Sequence, residues 1–140
     1  MDLSTAPLIT GVVVAVAVGL LGTFTRMDRD RAYYAVIAIV VAHYYPLYAV
    51  LGGSTHALLL ETLAASVFLV AAIWGFKSSS WILAAALGGH GLFDLIHGRL
   101  ISNPGLPPFW PAFCASFDVA IAVYLGWLLK SGRLQSALPT

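Results

Sequence analysis

The sequence predicts an all-α, polytopic membrane protein: a bundle of five transmembrane helices with the N-terminus outside and the C-terminus in the cytoplasm. Of its 140 residues, 60% are hydrophobic and only 9% are charged, whereas about a quarter of the residues of a soluble domain are charged. The mean hydropathy is +0.90, and the apolar residues form long blocks, as in membrane spans. Because lipid offers no hydrogen bonds to the backbone, we expect each block to be a helix.

Each apolar block has about the 17–25 residues needed to cross a hydrocarbon core of about 30 Å. The first block is expected to be a retained helix and not a signal peptide, because Met1–Pro7 contain Asp2 and no Lys or Arg. The second contains Pro46, which is expected to kink it, and a proline-rich loop precedes the fifth. We expect one transmembrane domain over residues 1–140, with spans at about 8–24, 32–51, 55–76, 80–98 and 112–129.

The basic residues predict the orientation of these spans. Six of the seven Lys and Arg residues fall on one side of the predicted bundle, and only Arg99 falls on the other. The positive-inside rule therefore places the larger group in the cytoplasm. This group comprises Arg26, Arg29, Arg31, Lys77, Lys130 and Arg133.

Three ionisable residues interrupt the fourth predicted span. His90, Asp94 and His97 are three and four residues apart, so they share one face of a helix. Ionisable groups inside a membrane are rare, costly and usually functional. This triplet is the strongest functional signal in the chain.

Two further carboxylates are expected at a similar depth on neighbouring helices. Glu61 and Asp118 each lie roughly 9 Å below the outer end of their predicted spans, and Asp94 lies roughly 6 Å below. We therefore predict an outward-facing site in which His90, Asp94, His97, Glu61 and Asp118 bind a divalent metal, with zinc expected and iron or manganese as alternatives.

Other residues have simpler explanations beside the functional one. His43 is a weaker candidate, because a single His on an apolar helix can be a satisfied core residue. Cys114 shares a face with Asp118 and could be a soft ligand, although a lone membrane cysteine is often only a small apolar residue. The His and carboxylate side chains could also form a hydrogen-bonded network that only holds the helices together.

The C-terminal part of the chain resembles an uncharacterised family of small bacterial membrane proteins, domain of unknown function 6010. The resemblance covers the last two helices and the loop between them. It is carried by His90-x3-Asp94-x2-His97 and then by Asn103-Pro104, Pro107, Pro111, Cys114 and Asp118. It implies a shared site and the bacterial inner membrane, but no activity. A fainter likeness to zinc hydrolases of the ceramidase and adiponectin-receptor kind is an analogy, because this chain has too few spans for their fold.

Three hypotheses follow for the function. The first is a metal-dependent hydrolase of a lipid-like or small amphipathic substrate from the outer leaflet, with Asp94, Glu61 or Asp118 as the catalytic base. The second is a proton or metal-ion transporter or channel, although the inner half offers no polar continuation. The third is an accessory subunit of a larger membrane complex. Homo-oligomerisation could supply the missing half of a transport path, whereas a stable, active homo-oligomer would argue against an accessory subunit. No basic patch suggests a nucleic-acid partner.

Overall fold

The computed structural model describes residues 5–134 and confirms the predicted all-α class with five helices. They are α1 (Thr5–Thr25), α2 (Ala32–Leu51), α3 (Thr55–Lys77), α4 (Ser80–Leu100) and α5 (Trp110–Lys130), with a short 3-10 helix at Met27–Arg29 between α1 and α2. Residues 1–4 and 135–140 lie outside the described part. The predicted extent of the domain over residues 1–140 therefore stays a prediction.

Four of the helices, α1, α2, α3 and α5, are long and apolar enough to cross a membrane. The fourth predicted span corresponds to α4, which has the same length as α5 but contains the ionisable triplet and Arg99. These side chains lower its mean hydropathy. The length and composition of these four helices indicate a multi-pass membrane protein. The orientation of the bundle and the crossing of the membrane by α4 remain predictions.

The helices pack in the order α1, α5, α4, α3, α2, with each one against the next. The pair of α1 and α5 depends on Gly11, where an added Cβ would lie only 2.1 Å from Ser116 Oγ and 2.4 Å from Phe113 O. Small residues allow such close approach of helices in lipid. Helices α1 and α2 stand at the two ends of the series and meet where Tyr33 donates to Val18 O (2.6 Å).

The interior of the bundle has an apolar part and a polar part. Leucine and isoleucine side chains on α4 and α5 fill the apolar part, which is nearer the predicted cytoplasmic side: Leu83, Leu87, Ile121, Leu125 and Leu128. The buried ionisable residues of α3, α4 and α5 lie toward the other end.

Serine caps fix the start of α3 and α4, since Ser54 Oγ accepts from Ala57 N (3.1 Å) and Ser79 Oγ from Trp81 N (3.3 Å).

Candidate metal centre between helices α4 and α5

Four potential metal ligands meet where α4 packs on α5. One donor atom from each of His90, Asp94, Cys114 and Asp118 lies within 4.8 Å of the others. All four residues are buried, and Asp94 and Asp118 have no exposed surface. His90 donates from Nδ1 to Asp118 Oδ2 (2.6 Å), and the same nitrogen lies 3.5 Å from Asp94 Oδ2. The group combines one imidazole, two carboxylates and one thiol.

Gly91 allows the two helices to come close enough for this group to form. A Cβ at position 91 would lie 3.0 Å from Ala115 O and 3.2 Å from Asp118 Cβ. The backbones of α4 and α5 can therefore approach closely next to His90, as small residues permit in membrane proteins. Asp94 follows His90 by four residues and so points to the same side of α4.

Tyr45 of α2 completes the surroundings of Asp94. Its hydroxyl donates to Asp94 Oδ1 (2.6 Å), and the side chain is 1% exposed. The tyrosine ring also packs against His97, with the ring centroids 4.3 Å apart. One oxygen of Asp94 is therefore fixed by α2, while the other, Oδ2, has no hydrogen-bond partner within the described part of the chain.

A second polar group lies toward the proline-rich loop. His97 donates from Nε2 to Glu61 Oε1 (2.8 Å), and both side chains are fully buried. The amide of Asn103 donates to the same Glu61 oxygen (2.9 Å) and to Tyr45 O (3.1 Å). Asn103 Oδ1 accepts from Gly105 N (3.2 Å), which orients the amide. This outer pair, His97 and Glu61, therefore joins α3, α4 and the loop.

A cavity of about 730 Å³ lies beside the outer pair. His97 and Asn103 line it together with Arg99 and the prolines at positions 107, 108 and 111. Residues of the loop thus form much of the wall of this cavity next to His97. The group between α4 and α5 lies deeper, behind Tyr45.

The structure divides the predicted five-ligand site into two parts. His90, Asp94 and Asp118 come together as predicted, but Glu61 and His97 form the outer pair and are not among the four clustered ligands. The physical reason is helix geometry: His97 is seven residues beyond His90, which is about 10 Å along the axis. A single ion cannot bridge that distance. Glu61 bonds to His97 in this outer pair, and its role as a catalytic base stays a prediction.

Of the two weaker candidates, Cys114 lies in the group of clustered ligands and His43 lies apart from it. Cys114 joins the group, because it precedes Asp118 by four residues on the buried face of α5. His43 does not, since its side chain is exposed and its Nδ1 bonds only to Ile39 O of its own helix (2.7 Å). The prediction that His43 takes part in the site is therefore corrected.

Two residues that contact the site, Tyr45 and Asn103, were not among the predicted site residues. Tyr45 continues a face of small residues on α2 at spacings of three and four, which marks that face as buried: Ala35, Ala38, Ala42 and Ala49. A tyrosine on such a face usually finds a hydrogen-bond partner. Asn103 was among the residues that carry the family resemblance, but only the loop conformation decides where its amide points.

The electrostatics of the inner group favour a bound cation. Two carboxylates and one imidazole lie together out of contact with water, so when both carboxylates are ionised they carry one more negative charge than a protonated His90 can balance. Asp94 Oδ2 and Asp118 Oδ1 are buried without partners among the described residues. Buried charges and polar atoms of this kind are costly unless they are paired or bind a metal. A divalent cation would satisfy both oxygens and offset the charge.

The fold and this site define a multi-pass helical membrane protein with a buried imidazole, carboxylate and thiol cluster that could hold a metal ion. A model described as a family of unknown function (DUF6010) matches residues 6–133. The chain belongs to this family, and the match extends over all five helices, beyond the C-terminal part that carried the resemblance. No curated protein and no solved structure matches the chain.

Proposed function

We propose that this protein is a membrane metalloprotein whose divalent cation binds between α4 and α5. The observation that carries this proposal is the group of four buried ligands, His90, Asp94, Cys114 and Asp118, with donor atoms within 4.8 Å of one another. Two of their carboxylate oxygens have no hydrogen-bond partner among residues 5–134, as is also true of Glu61 Oε2 in the outer pair. A network with only a structural role would be expected to satisfy those oxygens.

Zinc is the ion that this ligand set suits best. Imidazole and carboxylate donors are typical of zinc sites, and Cys114, if it also bound the ion, would further select against magnesium, calcium and manganese. Iron is the alternative that the same donors accept. Tyr45 would act as the outer support, because it fixes one oxygen of Asp94 and leaves the other free for the ion.

The activity that we propose for the centre is hydrolysis of a lipid-like or small amphipathic substrate. A catalytic zinc has three protein ligands and a fourth position for water. In that arrangement His90, Asp94 and Asp118 would hold the ion, and Cys114 would lie beside it without binding it. A metal held there would supply the activation of water that hydrolysis needs. Binding of the ion by all four side chains would instead make the site structural, so the role of Cys114 separates an enzyme from a purely metal-stabilised fold.

Transport is less consistent with the interior of the bundle. On the predicted cytoplasmic side of the cluster, the buried side chains of α4 and α5 are apolar over several turns, from Leu83 to Leu87 and from Ile121 to Leu128. An ion path needs polar groups or water on both sides of its site. Among the described residues, the buried ionisable groups next to the cluster are His97 and Glu61 on the loop side, whereas Asp28 lies at the predicted cytoplasmic end beyond the apolar turns. A partner subunit or a second copy could still associate with the bundle through its apolar surface.

The metal content of purified protein tests the central part of this proposal. We expect about one zinc per chain after purification without chelators, and its loss in His90→Gln with the helical content retained. His43→Gln is the matched control, because His43 is exposed on α2 and should leave the metal content unchanged. A folded wild-type protein that binds no divalent ion on dialysis against zinc, iron or manganese would overturn the proposal.

Activity and coordination are tested with Cys114→Ala. If Cys114 lies beside an open position, the variant keeps its zinc and any hydrolysis of lysophospholipid or acylamide probes. If Cys114 is the fourth ligand, the variant loses zinc affinity and the hydrolase assignment is wrong, even though the protein remains a metalloprotein.

A further inference from the structure

An apolar groove of about 350 Å³ separates α1 from α2 and has α5 as its floor. Valine, isoleucine and aromatic side chains of the three helices line it, among them Val14, Val18, Val36, Val40, Phe113 and Phe117. Helices α1 and α2 are the two ends of the packing series, so the groove lies open along the side of the bundle. In a bilayer this side faces hydrocarbon.

The groove reaches the proposed metal centre. Cys114 lines the groove, and it also belongs to the group of potential metal ligands. Its side chain is only 2% exposed. A molecule in the groove would therefore lie against the same residue that contacts Asp94 and Asp118.

A buried hydrogen-bond donor lies among the mostly apolar lining of the groove. Trp110 lines the groove, and its Nε1–H is buried without a hydrogen-bond partner among the described residues. The rings of Tyr44 and Tyr48 hold the indole, each with a centroid distance of 5.0 Å. A buried donor without a partner is unfavourable. An acceptor oxygen from a molecule in the groove would remove this cost.

The shape of the groove favours a flexible chain over another helix. Helices associate in membranes through small residues that bring backbones together, but this groove is lined mainly by β-branched and aromatic side chains. The glycines of α1 are occupied elsewhere: Gly11 and Gly19 lie against α5, and Gly22 lies against Tyr33. An acyl chain needs no such close approach and can bend to fill an irregular apolar space.

We propose that this groove binds one acyl chain of a membrane lipid, with an ester or hydroxyl oxygen of the lipid accepting the Trp110 Nε1–H. The lipid then lies with its polar part near the outer end of α5 and its chain along Cys114. The groove thereby supplies a substrate class for the metal centre, an acyl lipid, and in that respect rests on the proposed function.

Photo-crosslinking in vesicles tests this binding site directly. Protein in phosphatidylcholine vesicles is labelled with a phospholipid that carries a diazirine in its acyl chain, and the modified peptides are identified by mass spectrometry. We expect saturable labelling of segments 36–44 and 110–117, which excess unlabelled lipid of the same headgroup and chain suppresses. Labelling of Val67, an exposed α3 residue, should stay proportional to the probe concentration.

Val40→Trp fills the groove, and Val67→Trp is the matched control because Val67 lies on an exposed helix face outside it. The indole would occupy space that the acyl chain needs, so we expect groove labelling to fall about tenfold in Val40→Trp, which corresponds to about 1.4 kcal/mol, and to be unchanged in Val67→Trp. Equal labelling of both variants, or labelling that never saturates, would overturn the proposal. A change of oligomeric state confined to Val40→Trp would also overturn it, since the occupant would be a second copy.

Zinc is measured on the same samples, so that the two proposals can fail separately. Normal zinc content with labelling that does not saturate refutes the lipid groove and leaves the metal centre in place. Saturable labelling without bound metal supports the groove as a lipid site and refutes both the metal centre and the role of the lipid as its substrate.

Discussion

Removal of the Tyr45 hydroxyl should weaken metal binding without disturbing the fold. Tyr45→Phe deletes the donor to Asp94 Oδ1, which lies at 2.6 Å. The ring remains, and with it the contact to His97 at 4.3 Å between ring centroids. Because Tyr45 is 1% exposed, water cannot readily replace the lost donor. The change therefore acts on one hydrogen bond to a proposed metal ligand.

The size of the effect follows from that hydrogen bond. Hydrogen bonds to charged groups contribute about 1.5–3 kcal/mol, and loss of an outer-shell partner weakens metal affinity by about 10–100-fold. The two figures agree, since each tenfold change in affinity corresponds to about 1.4 kcal/mol. We expect the zinc Kd of Tyr45→Phe to rise by about 10–100-fold, with a stoichiometry that stays at one.

Competition against a chromophoric zinc chelator in detergent micelles measures this Kd. Tyr44→Phe is the control, because Tyr44 is on the same helix and its hydroxyl makes no hydrogen bond within the described residues. Equal zinc affinities for the two variants, with both proteins folded, would show that Tyr45 does not support a metal ligand, and the assignment of Asp94 would then be wrong.

Three further predictions concern the outer pair, the packing of α1 and the orientation. Glu61→Gln should lower stability by about 1.5–3 kcal/mol through loss of the charged hydrogen bond to His97, and unchanged zinc content would place this pair outside the metal centre. Gly11→Ala should destabilise the protein by about 1–3 kcal/mol in a thermal unfolding assay. Gly89→Ala, where an added Cβ meets nothing within 4 Å, should leave stability unchanged or raise it. Equal changes in stability for Gly11→Ala and Gly89→Ala would refute the close packing of α1 on α5. Cysteines placed in loop 26–31 should be protected from membrane-impermeant thiol reagents in intact cells. Labelling from outside would show that the orientation is the reverse of the predicted one.

The fold was predictable because membrane-spanning helices can be recognised from the length and hydrophobic composition of each block. The second predicted span, 32–51, coincides with α2, and the other four differ from their helices by no more than three residues at an end. The differences have local causes. At the start of α5 a proline occupies the second position, where a missing N–H costs nothing, so the helix begins at Trp110, closer to the proline-rich loop than expected.

The site was only partly predictable, because spacing along one helix does not decide which neighbour each side chain meets. The triplet of α4 does share one face, yet His90 turns to Asp118 of α5 and His97 to Glu61 of α3. The packing of α4 between two helices separates them. Depth in the membrane correctly favoured Asp118, but Glu61 at similar depth belongs to the helix on the opposite side.

X-ray absorption at the zinc edge of the reconstituted protein tests the central claim most directly, since it reports the ligands of a bound ion. The structure predicts a shell of nitrogen and oxygen donors at about 2.0–2.2 Å, with a sulfur at about 2.3 Å if Cys114 is a ligand. The shell should be lost in Asp118→Asn, which keeps the size of the side chain but removes its charge. A zinc shell in wild type that is unchanged in Asp118→Asn, or no bound zinc in folded wild type, would contradict a metal centre between α4 and α5.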